Sequence, residues 1–439
     1  MAPRRPRVGV VCLARLMPRP DSPAPSSHER AISPPDAQEV APSRRRGTGV
    51  CLSGGGYRAA LFHLGSLRRL DELGILGGVR TISGVSGGSI IATLLSDPDL
   101  VWPTEGTGAG SPYVLGFEEL VAEPLRALSR HNVRTPALLG KLRPTRWFAK
   151  DAGVRALSDG LVRQVPWWST PLRDNGADGP AIVIGATEIG YGVDWVFMDP
   201  NAARPHGRIG DYRLGYAVPP ADVRVADMVA ASCAFPPFFA PMRFDGHALG
   251  LSGGHPGQET AQARAEIMDD IQLGDGGIYD NLGLEPVWKD HSTVLLSDGG
   301  GVFRAGSQYT VFGRLLQILS IAAGGGGATR VRWLLASIRR GALAGATWAL
   351  DTVVAQSYPA EVCERINVIR TDLDRFSLDE QKILERHGYV VADAVVRSHA
   401  RQLIAVDAAL MPPHEEVADP AYALGALRDS HRRTLLGRF

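Results

Sequence analysis

The chain has 439 residues, of which 44% are hydrophobic, and its net charge at neutral pH is +1. This length and composition fit one large globular domain or two smaller ones. A charge so close to zero gives no overall attraction to nucleic acid. The four cysteines are scattered, which excludes a dense disulfide framework and favours a reducing compartment: Cys12, Cys51, Cys233 and Cys363.

The first 46 residues differ in composition from the rest of the chain. They contain nine arginines and nine prolines but only four acidic residues. Proline at this density opposes regular structure, so we predict a disordered arm, which can be a solvated extension or assist attraction to anionic lipid. A short apolar run at 8–14 follows basic residues, but Arg15 ends it too early for a typical signal peptide.

A glycine-rich turn follows the first predicted strand. Residues 49–53 form a short apolar run, typical of a buried strand, and three glycines at 54–56 come directly after it. The apolar spacing from 59 to 73 predicts a helix that ends at Gly74. Such a turn can present several backbone N–H groups to an anion.

A second glycine turn begins about thirty residues later. Residues 79–85 fit a strand, and 89–95 fit the helix behind it. Between them, Gly84 to Gly88 (GVSGG) match Gly-x-Ser-x-Gly, in which the flanking glycines allow a sharp turn and expose the Ser86 hydroxyl at the bend. This turn predicts a nucleophile, and the first turn can supply its oxyanion hole.

The first turn also fits the dinucleotide fingerprint Gly-x-Gly-x-x-Ala through Gly54, Gly56 and Ala59. That fingerprint requires an acidic residue at the end of a second strand about twenty residues further on. Glu72 has roughly this spacing but lies inside the predicted helix, and nucleotide binding leaves the second turn unexplained. A phosphate-binding loop without catalysis is therefore the weaker alternative.

Residues 101–179 are predicted to be a helical insertion before the next strand. Proline, glycine and helical stretches alternate in this segment, which contains two aromatic pairs, Trp147–Phe148 and Trp167–Trp168. Tryptophan favours the membrane interface, so these pairs fit lipid contact and core packing equally well. A strand is predicted again at 181–187 and a helix at 225–234.

Two Asp-Gly-Gly turns occur late in the chain. Asp275 precedes Gly276 and Gly277, and Asp298 ends a clear apolar strand. An aspartate within hydrogen-bonding distance of Ser86 can accept the serine proton and return it to the leaving group. A free aspartate has a pKa of about 3.9, and partial burial would raise it and improve the acceptor. Spacing alone does not choose between the two aspartates.

A helical extension is predicted after about residue 305. At 330–340 apolar residues occupy one helical face and arginines the other, which fits an anionic membrane surface or packing against the domain; we favour packing. The apolar stretch is too short to span a bilayer. Ser377 and Glu380 form a capping-box pattern that predicts a long helix through His399.

A serine–histidine–acid triad is the alternative mechanism. On an α/β-hydrolase scaffold its histidine follows the acid in the chain. His291, His387 and His399 come late enough, but none stands in a turn typical of a site, and His63 fits a packed or capping residue. The sequence has no His-x-x-x-His or Cys-x-x-Cys pair that would suggest a metal site. We predict neither a metal nor an organic cofactor.

The ordered motifs resemble the patatin-like phospholipase family. The family's Gly-Gly-Gly-x-Arg motif matches residues 54–58, its Gly-x-Ser-x-Gly elbow matches 84–88, and its late Asp-Gly-Gly turn matches 275–277. A helix end that runs into a proline turn at 231–236 resembles a further family segment. The resemblance covers roughly residues 47–300, and three motifs in the family's order are far more specific than any one alone.

The resemblance implies a role for each site residue. Ser86 attacks a fatty-acyl ester, and Asp275 serves as base and then as acid, which leaves Asp298 structural. Arg58 shapes the oxyanion loop, with a surface salt bridge as the alternative. The oxyanion hole is assigned to Gly54, Gly55, Gly56 and Arg58. The glycines of the elbow and of the aspartate turn are Gly84, Gly88, Gly276 and Gly277.

The resemblance further implies an α/β fold of three layers. We expect a central, largely parallel sheet with helices on both faces, spanning residues 47–405 before a tail at 406–439. The predicted function is hydrolysis of lipid or phospholipid acyl esters in the cytoplasm, with peripheral membrane contact and without nucleic acid or metal. A serine esterase for small soluble esters and a non-catalytic phosphate- or nucleotide-binding protein are the alternatives.

Overall fold

The computed structural model describes most of the chain after its N-terminal segment. The chain divides into two units, Met1–Ala41 and Pro42–Phe439, and all described residues belong to the second. Most of the predicted arm and the Trp147–Phe148 pair therefore lie outside the described residues. These are 45–103, 111–140, 149–175, 179–201, 204, 206–300, 311–434 and 437–438.

The strands of the described residues form one sheet. In chain order the strands are β1 (Thr48–Leu52), β2 (Val79–Val85), β3 (Ala181–Glu188), β4 (Val193–Met198), β5 (Arg208–Asp211), β6 (Gly215–Ala217), β7 (Met242–Phe244), β8 (Ser252–Gly253), β9 (Ile271–Asp275), β10 (Thr293–Asp298) and β11 (Ala344–Ala349). Along the sheet the order is β11-β10-β1-β2-β3-β4-β5-β6-β8, and β9 pairs with both β3 and β7.

The sheet has a parallel half and an antiparallel half. The neighbours β11, β10, β1, β2 and β3 run parallel. From β3 through β4, β5 and β6 to β8 each pair is antiparallel, and β9 is antiparallel to β3. The predicted α/β class with central parallel strands is confirmed, and both glycine turns follow strands of the parallel half.

The α-helices of the described residues flank this sheet. The two that follow the glycine turns begin at Gly56 and Gly87, a few residues earlier than predicted. The helices are α1 (Gly56–Glu72), α2 (Gly87–Leu94), α3 (Glu123–Ser129), α4 (Arg134–Leu139), α5 (Ala152–Gln164), α6 (Val225–Ser232), α7 (Gly246–Leu249), α8 (Ala261–Asp269), α9 (Gly277–Asp280), α10 (Glu285–Trp288), α11 (Val311–Arg339), α12 (Ala360–Asn367), α13 (Leu378–His399) and α14 (Pro420–Ala426).

Two hydrophobic clusters show that helices cover both faces of the sheet. Val50 and Leu52 of β1 belong to a large cluster that includes Leu61 of α1. Cys51, between them, belongs to a second cluster that includes Leu334 of α11. Because successive side chains of a strand point to opposite faces, the two clusters lie on opposite sides of the sheet. The predicted three-layer arrangement is confirmed.

Helix α13 packs tightly across α1, the helix that follows the first glycine turn. A Cβ on Gly65 or on Gly388 would lie 1.8 or 2.0 Å from a backbone carbonyl oxygen of the other helix. A side chain at either position would therefore force the helices apart. The predicted capping box is confirmed, because Ser377 and Glu380 each accept a hydrogen bond from the other's backbone N–H and α13 extends to His399.

The structure corrects the prediction for the segment after about residue 305, and it decides between two interpretations of the Trp167–Trp168 pair and of the basic helix. The segment after about 305 is not only helical, because β11 joins the edge of the sheet beside β10. Trp168 is fully buried and Trp167 packs against the core, so core packing explains this aromatic pair. In the basic helix Leu334 is buried and Trp333 contacts the same cluster, which confirms the favoured packing.

Candidate active site

The predicted nucleophile occupies a strained bend between β2 and α2. The strand ends at Val85 and the helix begins at Gly87, so Ser86 alone forms the bend. Its φ is 49° and its ψ is −116°, and residues with a Cβ rarely adopt a positive φ. The surrounding structure imposes this strain, which is typical of a nucleophile elbow.

Glycines allow the two turns to pack against each other. A Cβ on Gly87 would lie 2.2 Å from the carbonyl oxygen of Gly56, and one on Gly88 would lie 2.1 Å from that of Leu52. A Cβ on Gly84 would lie 2.6 Å from the carbonyl oxygen of Gly88. Such distances are too short for a real Cβ, so α2 reaches the end of β1 only because glycines stand at these positions.

The Ser86 hydroxyl donates a hydrogen bond to Oδ2 of Asp275 at 2.9 Å. Asp275 is the last residue of β9, which pairs with β3, the neighbour of β2. Its other oxygen accepts a hydrogen bond from the Gly277 amide at 2.8 Å. A Cβ on Gly276 would lie 2.4 Å from a carbonyl oxygen of β3. The structure thus brings the two predicted catalytic side chains into direct contact.

Burial gives Asp275 the properties of a proton acceptor. The side chain is 3% exposed, and its burial raises the pKa from 3.8 to about 7, against the lowering effect of the hydrogen bonds from Gly277 and Ser86. A carboxylate with a pKa near 7 accepts a proton more readily than an exposed aspartate. It is half ionised at that pH and mostly ionised above it.

The alternative aspartate makes different contacts. Asp298 ends β10, and its Oδ1 accepts a hydrogen bond from the Gly300 amide at 2.9 Å. The Ser53 hydroxyl oxygen accepts from two amides of the same turn, at 2.8 and 3.1 Å. Burial also raises the pKa of Asp298. These contacts stabilise the turn after β10, whereas the Ser86 hydroxyl bonds to Asp275.

The first glycine turn reaches the nucleophile at the start of α1. A Cβ on Gly54 would lie 3.2 Å from that of Ser86. The Gly54 amide, however, donates to the carbonyl oxygen of Asn281 at 2.9 Å, so it is not the donor that the sequence predicted. Gly55 and Gly56 have φ of 145° and 62°, and N–H groups at a helix start have no acceptor within the helix. These two amides are the candidate oxyanion donors.

Arg58 is buried next to the first turn. The residue is 3% exposed, which contradicts a surface position. Its guanidinium donates to the carbonyl oxygen of Ile369 at 2.7 Å and to that of Gly299 at 3.3 Å. These bonds connect the start of α1 with the turn after β10 and with the segment that precedes α13. Arg58 therefore holds the glycine turn in place.

The histidines weighed for a triad lie elsewhere. His63 is buried, its Nδ1 is 2.8 Å from Ser297 Oγ, and burial lowers its pKa to about 4. His291 and His387 are also buried and hydrogen-bonded outside the site, and His399 is exposed at the end of α13. Among the described residues that line the cavity beside Ser86, none is a histidine.

Sequence analysis missed Ser232, which holds the nucleophile turn. Its Oγ accepts a hydrogen bond from the Ser86 amide at 2.8 Å and donates one to the carbonyl oxygen of Gly185 at 2.6 Å. Ser232 ends α6 within the segment 231–236 that resembles the family. The family resemblance of this segment was the only sequence feature that pointed to Ser232. No local pattern shows that the segment contacts Ser86.

Two further residues border the serine and the aspartate. Burial and the charge of Asp275 raise the pKa of the Cys233 thiol to about 12, so this thiol stays protonated and unreactive. The backbone carbonyl oxygen of Asn281 accepts the hydrogen bond from the Gly54 amide. The side-chain oxygen of Asn281 would lie 2.5 Å from a Cβ on Gly277. Asn281 therefore links the first glycine turn to the aspartate turn.

A cavity of about 280 Å³ opens beside Ser86 and Asp275. Both glycine turns contribute to its wall, and so do an ion pair between Arg134 and Asp372 and the exposed Arg433. Ligand pockets are typically apolar with a few polar groups that fix orientation, and this cavity fits that description. Its apolar lining consists of Phe235, Phe238, Phe239 and Leu373.

The dinucleotide alternative lacks its acidic residue at a strand end. Glu72 is the last residue of α1, and its carboxylate accepts a hydrogen bond from Arg69 at 2.8 Å. The fingerprint requires the acid at the end of the second strand, where this chain has the nucleophile turn. In the part of the chain that the structure describes, no group of three histidine, cysteine, aspartate or glutamate side chains is placed to hold a metal ion.

The patatin-like phospholipase family model matches residues 50–100 and 201–288. The first matched segment contains the glycine turn and Ser86, and the second contains Ser232 and Asp275. Over these two segments the chain is similar to patatin-like phospholipases. Residues 101–200, which include the predicted insertion, lie between the two matched segments.

Solved structures similar to this chain include two of human GIVD cytosolic phospholipase A2. One is 13% identical, with 89% of this chain and 63% of that chain covered and a TM-score of 0.43. The other, in complex with methyl gamma-linolenyl fluorophosphonate, is 14% identical, with 88% and 60% covered and a TM-score of 0.44. The chain thus spans less than two thirds of either human structure.

VipD from Legionella pneumophila is 14% identical, with 81% of this chain and 67% of that chain covered and a TM-score of 0.33. No curated protein matches the chain.

Proposed function

We propose that this patatin-like chain hydrolyses fatty-acyl esters of lipids through an acyl-enzyme on Ser86. The observation that carries the proposal is the 2.9 Å hydrogen bond from the Ser86 hydroxyl to Asp275 beside a cavity with an apolar wall. The match to the patatin-like phospholipase family supports lipid acyl hydrolysis as the class of reaction.

In the first step Ser86 Oγ forms a bond to the ester carbonyl carbon, and its proton passes to Oδ2 of Asp275. The carbonyl π electrons move to the oxygen, which becomes a tetrahedral oxyanion. The amides of Gly55 and Gly56 donate hydrogen bonds to this oxyanion. Helices α1 and α2 both begin at the two turns, so the positive ends of their dipoles add to the stabilisation.

The second half of the reaction uses the same carboxyl group. Collapse of the tetrahedral intermediate breaks the bond between the carbonyl carbon and the alcohol oxygen, and Asp275 gives its proton to the leaving alcohol. Water then attacks the acyl-enzyme while Asp275 accepts a proton from it. That proton returns to Ser86 Oγ as the fatty acid leaves. One carboxylate thus serves both proton transfers, and no histidine is required.

The apolar wall of the cavity favours substrates with an acyl chain over small esters. Phe235, Phe238 and Phe239 line the same cavity as Ser86. Each methylene that an acyl chain buries against such side chains is worth about 0.8 kcal/mol. A longer chain should therefore lower KM until the cavity is filled, which a site for small soluble esters would not show.

The test is fatty-acid release from p-nitrophenyl esters of increasing chain length and from phospholipid vesicles, by the wild type and by Ser86→Ala. We expect release by the wild type to increase with chain length and to disappear in Ser86→Ala. Cleavage of the shortest ester alone would identify a soluble-ester esterase. Equal activity in Ser86→Ala would exclude this residue as the nucleophile.

A further inference from the structure

The exposed face of α11 carries apolar residues between arginines. Ile318 and Ile321 are 56% and 52% exposed, although isoleucine is normally among the most buried residue types. We define the α11 stripe as seven exposed residues of this helix: Arg314, Ile318, Ile321, Gly324, Ala328, Arg332 and Arg339. At 100° per residue these seven positions fall within an arc of about 120° around the helix axis.

The C-terminal part of α11 is fixed next to the aspartate turn. Leu334 is fully buried in the second hydrophobic cluster. The guanidinium of Arg330 lies 5.0 Å from the ring centroid of Tyr279 and 3.5 Å from the carboxylate of Asp280. Both partners belong to α9, which begins at Gly277, two residues after Asp275. These contacts hold the C-terminal part of the α11 stripe in a defined position relative to the nucleophile and the base.

The α11 stripe also borders the cavity. Gly324, in the middle of the stripe, is exposed and at the same time lines the cavity that contains Ser86 and Asp275. A surface that rests on the stripe would therefore lie at the entrance of the cavity.

We propose that the α11 stripe docks the protein on an anionic lipid bilayer, an inference that rests on the proposed hydrolase function. Ile318 and Ile321 enter the boundary between headgroups and acyl chains, and the arginines at both ends of the stripe pair with lipid phosphates. Such a helix lies in the plane of the interface. Among the described helices, none has the length and apolar composition that crossing a membrane requires. The docked bilayer presents its acyl esters to the cavity entrance.

The charge of the α11 stripe favours a lipid surface over a second copy of this chain as its binding partner. If two copies of the α11 stripe paired in parallel, each arginine would face its own counterpart. If they paired antiparallel, Arg314 of one copy would approach Arg332 of the other. Like charges at both ends oppose either pairing. An anionic bilayer offers the opposite charge along the whole stripe.

The experiment compares a stripe variant, Ile318→Ser/Ile321→Ser, with a control variant, Val353→Ser/Met411→Ser. The control removes side chains that are 54% and 77% exposed but lie outside the stripe. Flotation with vesicles of phosphatidylcholine and phosphatidylglycerol measures binding to the bilayer. We expect the stripe variant to partition about tenfold more weakly than the wild type, because two apolar side chains no longer insert. The control should partition like the wild type.

A second readout separates docking from chemistry. Hydrolysis of a soluble short-chain ester should be equal in the wild type and both variants, because neither pair touches the nucleophile. Equal flotation of the stripe variant and the wild type would overturn the proposal. A dimer of the wild type that becomes a monomer in the stripe variant would also overturn it, by showing an interface between copies. Absence of ester hydrolysis by the wild type would instead contradict the proposed function, independently of flotation.

Discussion

At the scale of single residues, Asp275 joins two properties that favour proton transfer. It accepts the hydrogen bond of the Ser86 hydroxyl at 2.9 Å, and burial raises its pKa to about 7. Burying a carboxylate costs free energy of solvation. Hydrogen bonds from Ser86 and Gly277 to the Asp275 carboxylate offset part of this cost. A water-exposed aspartate in the same position would be a much weaker base.

The first prediction concerns the pH dependence of the reaction. Below the pKa of about 7 the Asp275 carboxyl is protonated and cannot accept the Ser86 proton. We therefore expect kcat/KM for a soluble ester to rise with pH and to reach half of its maximum near that pKa. A pH–rate profile from about pH 5 to 9, with folding checked by circular dichroism, makes this measurement. Constant kcat/KM across the acidic half of that range would contradict the assignment.

The two late aspartates should differ sharply in their effect on rate. Asp275→Asn removes the proton acceptor and should lower kcat by about three orders of magnitude while the fold persists. Asp298→Asn keeps an oxygen that can accept the Gly300 amide, so its kcat should stay within about threefold of the wild type. The measurement is steady-state kinetics of both variants on one ester. A large loss in Asp298→Asn with full activity in Asp275→Asn would reverse the assignment.

Ser232 is expected to act as a positioning residue. Ser232→Ala leaves the partly buried Ser86 amide without its acceptor, which costs about 1 kcal/mol and disturbs the strained bend. We expect kcat to fall about tenfold while KM and the apparent pKa near 7 stay unchanged. Ser89→Ala is the matched control, because Ser89 bonds to the carbonyl oxygen of Ser86 rather than to its amide. An equal loss of kcat in both variants would point to a general effect on the turn.

At the scale of secondary-structure elements, the contact between the two glycine turns decides whether the site forms. We expect Gly87→Ala to lower the melting temperature and to abolish hydrolysis, because the new Cβ would lie 2.2 Å from the carbonyl oxygen of Gly56. Thermal unfolding and ester hydrolysis measure the two effects. The control is Gly250→Ala, where a Cβ would meet nothing within 4 Å, although its φ of 74° adds local strain. Normal activity in Gly87→Ala would show that the two turns need not pack this closely.

Elements with a strong local pattern could be predicted from the sequence. β2 matches its predicted range, and α13 begins at its predicted capping box, because apolar runs and capping residues act locally. β9 and β11 were not predicted as strands. β9 has five residues, and its partners β3 and β7 are distant in the chain, so only the tertiary fold makes it a strand.

At the scale of the whole molecule, the candidate site is assembled from segments far apart in the chain. The parallel order of β10, β1, β2 and β3 places the glycine turn, Ser86 and the end of β9 at one region of the sheet. The sequence motifs predicted Ser86 as the nucleophile and left two candidates for the base, Asp275 and Asp298. The family resemblance favoured Asp275. Three features of the site depend on long-range packing, which no local pattern encodes. They are the hydrogen bond from the Ser86 amide to Ser232, the burial of Arg58, and the hydrogen bond from the Gly54 amide to the Asn281 carbonyl oxygen.

The most direct test of the central claim is covalent labelling with an alkyl fluorophosphonate, with the adduct located by mass spectrometry. A phosphonate reacts with an activated serine and mimics the tetrahedral intermediate. We predict a single adduct on Ser86 of the wild type, no adduct in Ser86→Ala, and greatly slowed labelling in Asp275→Asn. Folded wild-type protein that stays unlabelled, or that carries the adduct on another serine, would contradict a nucleophile at this turn.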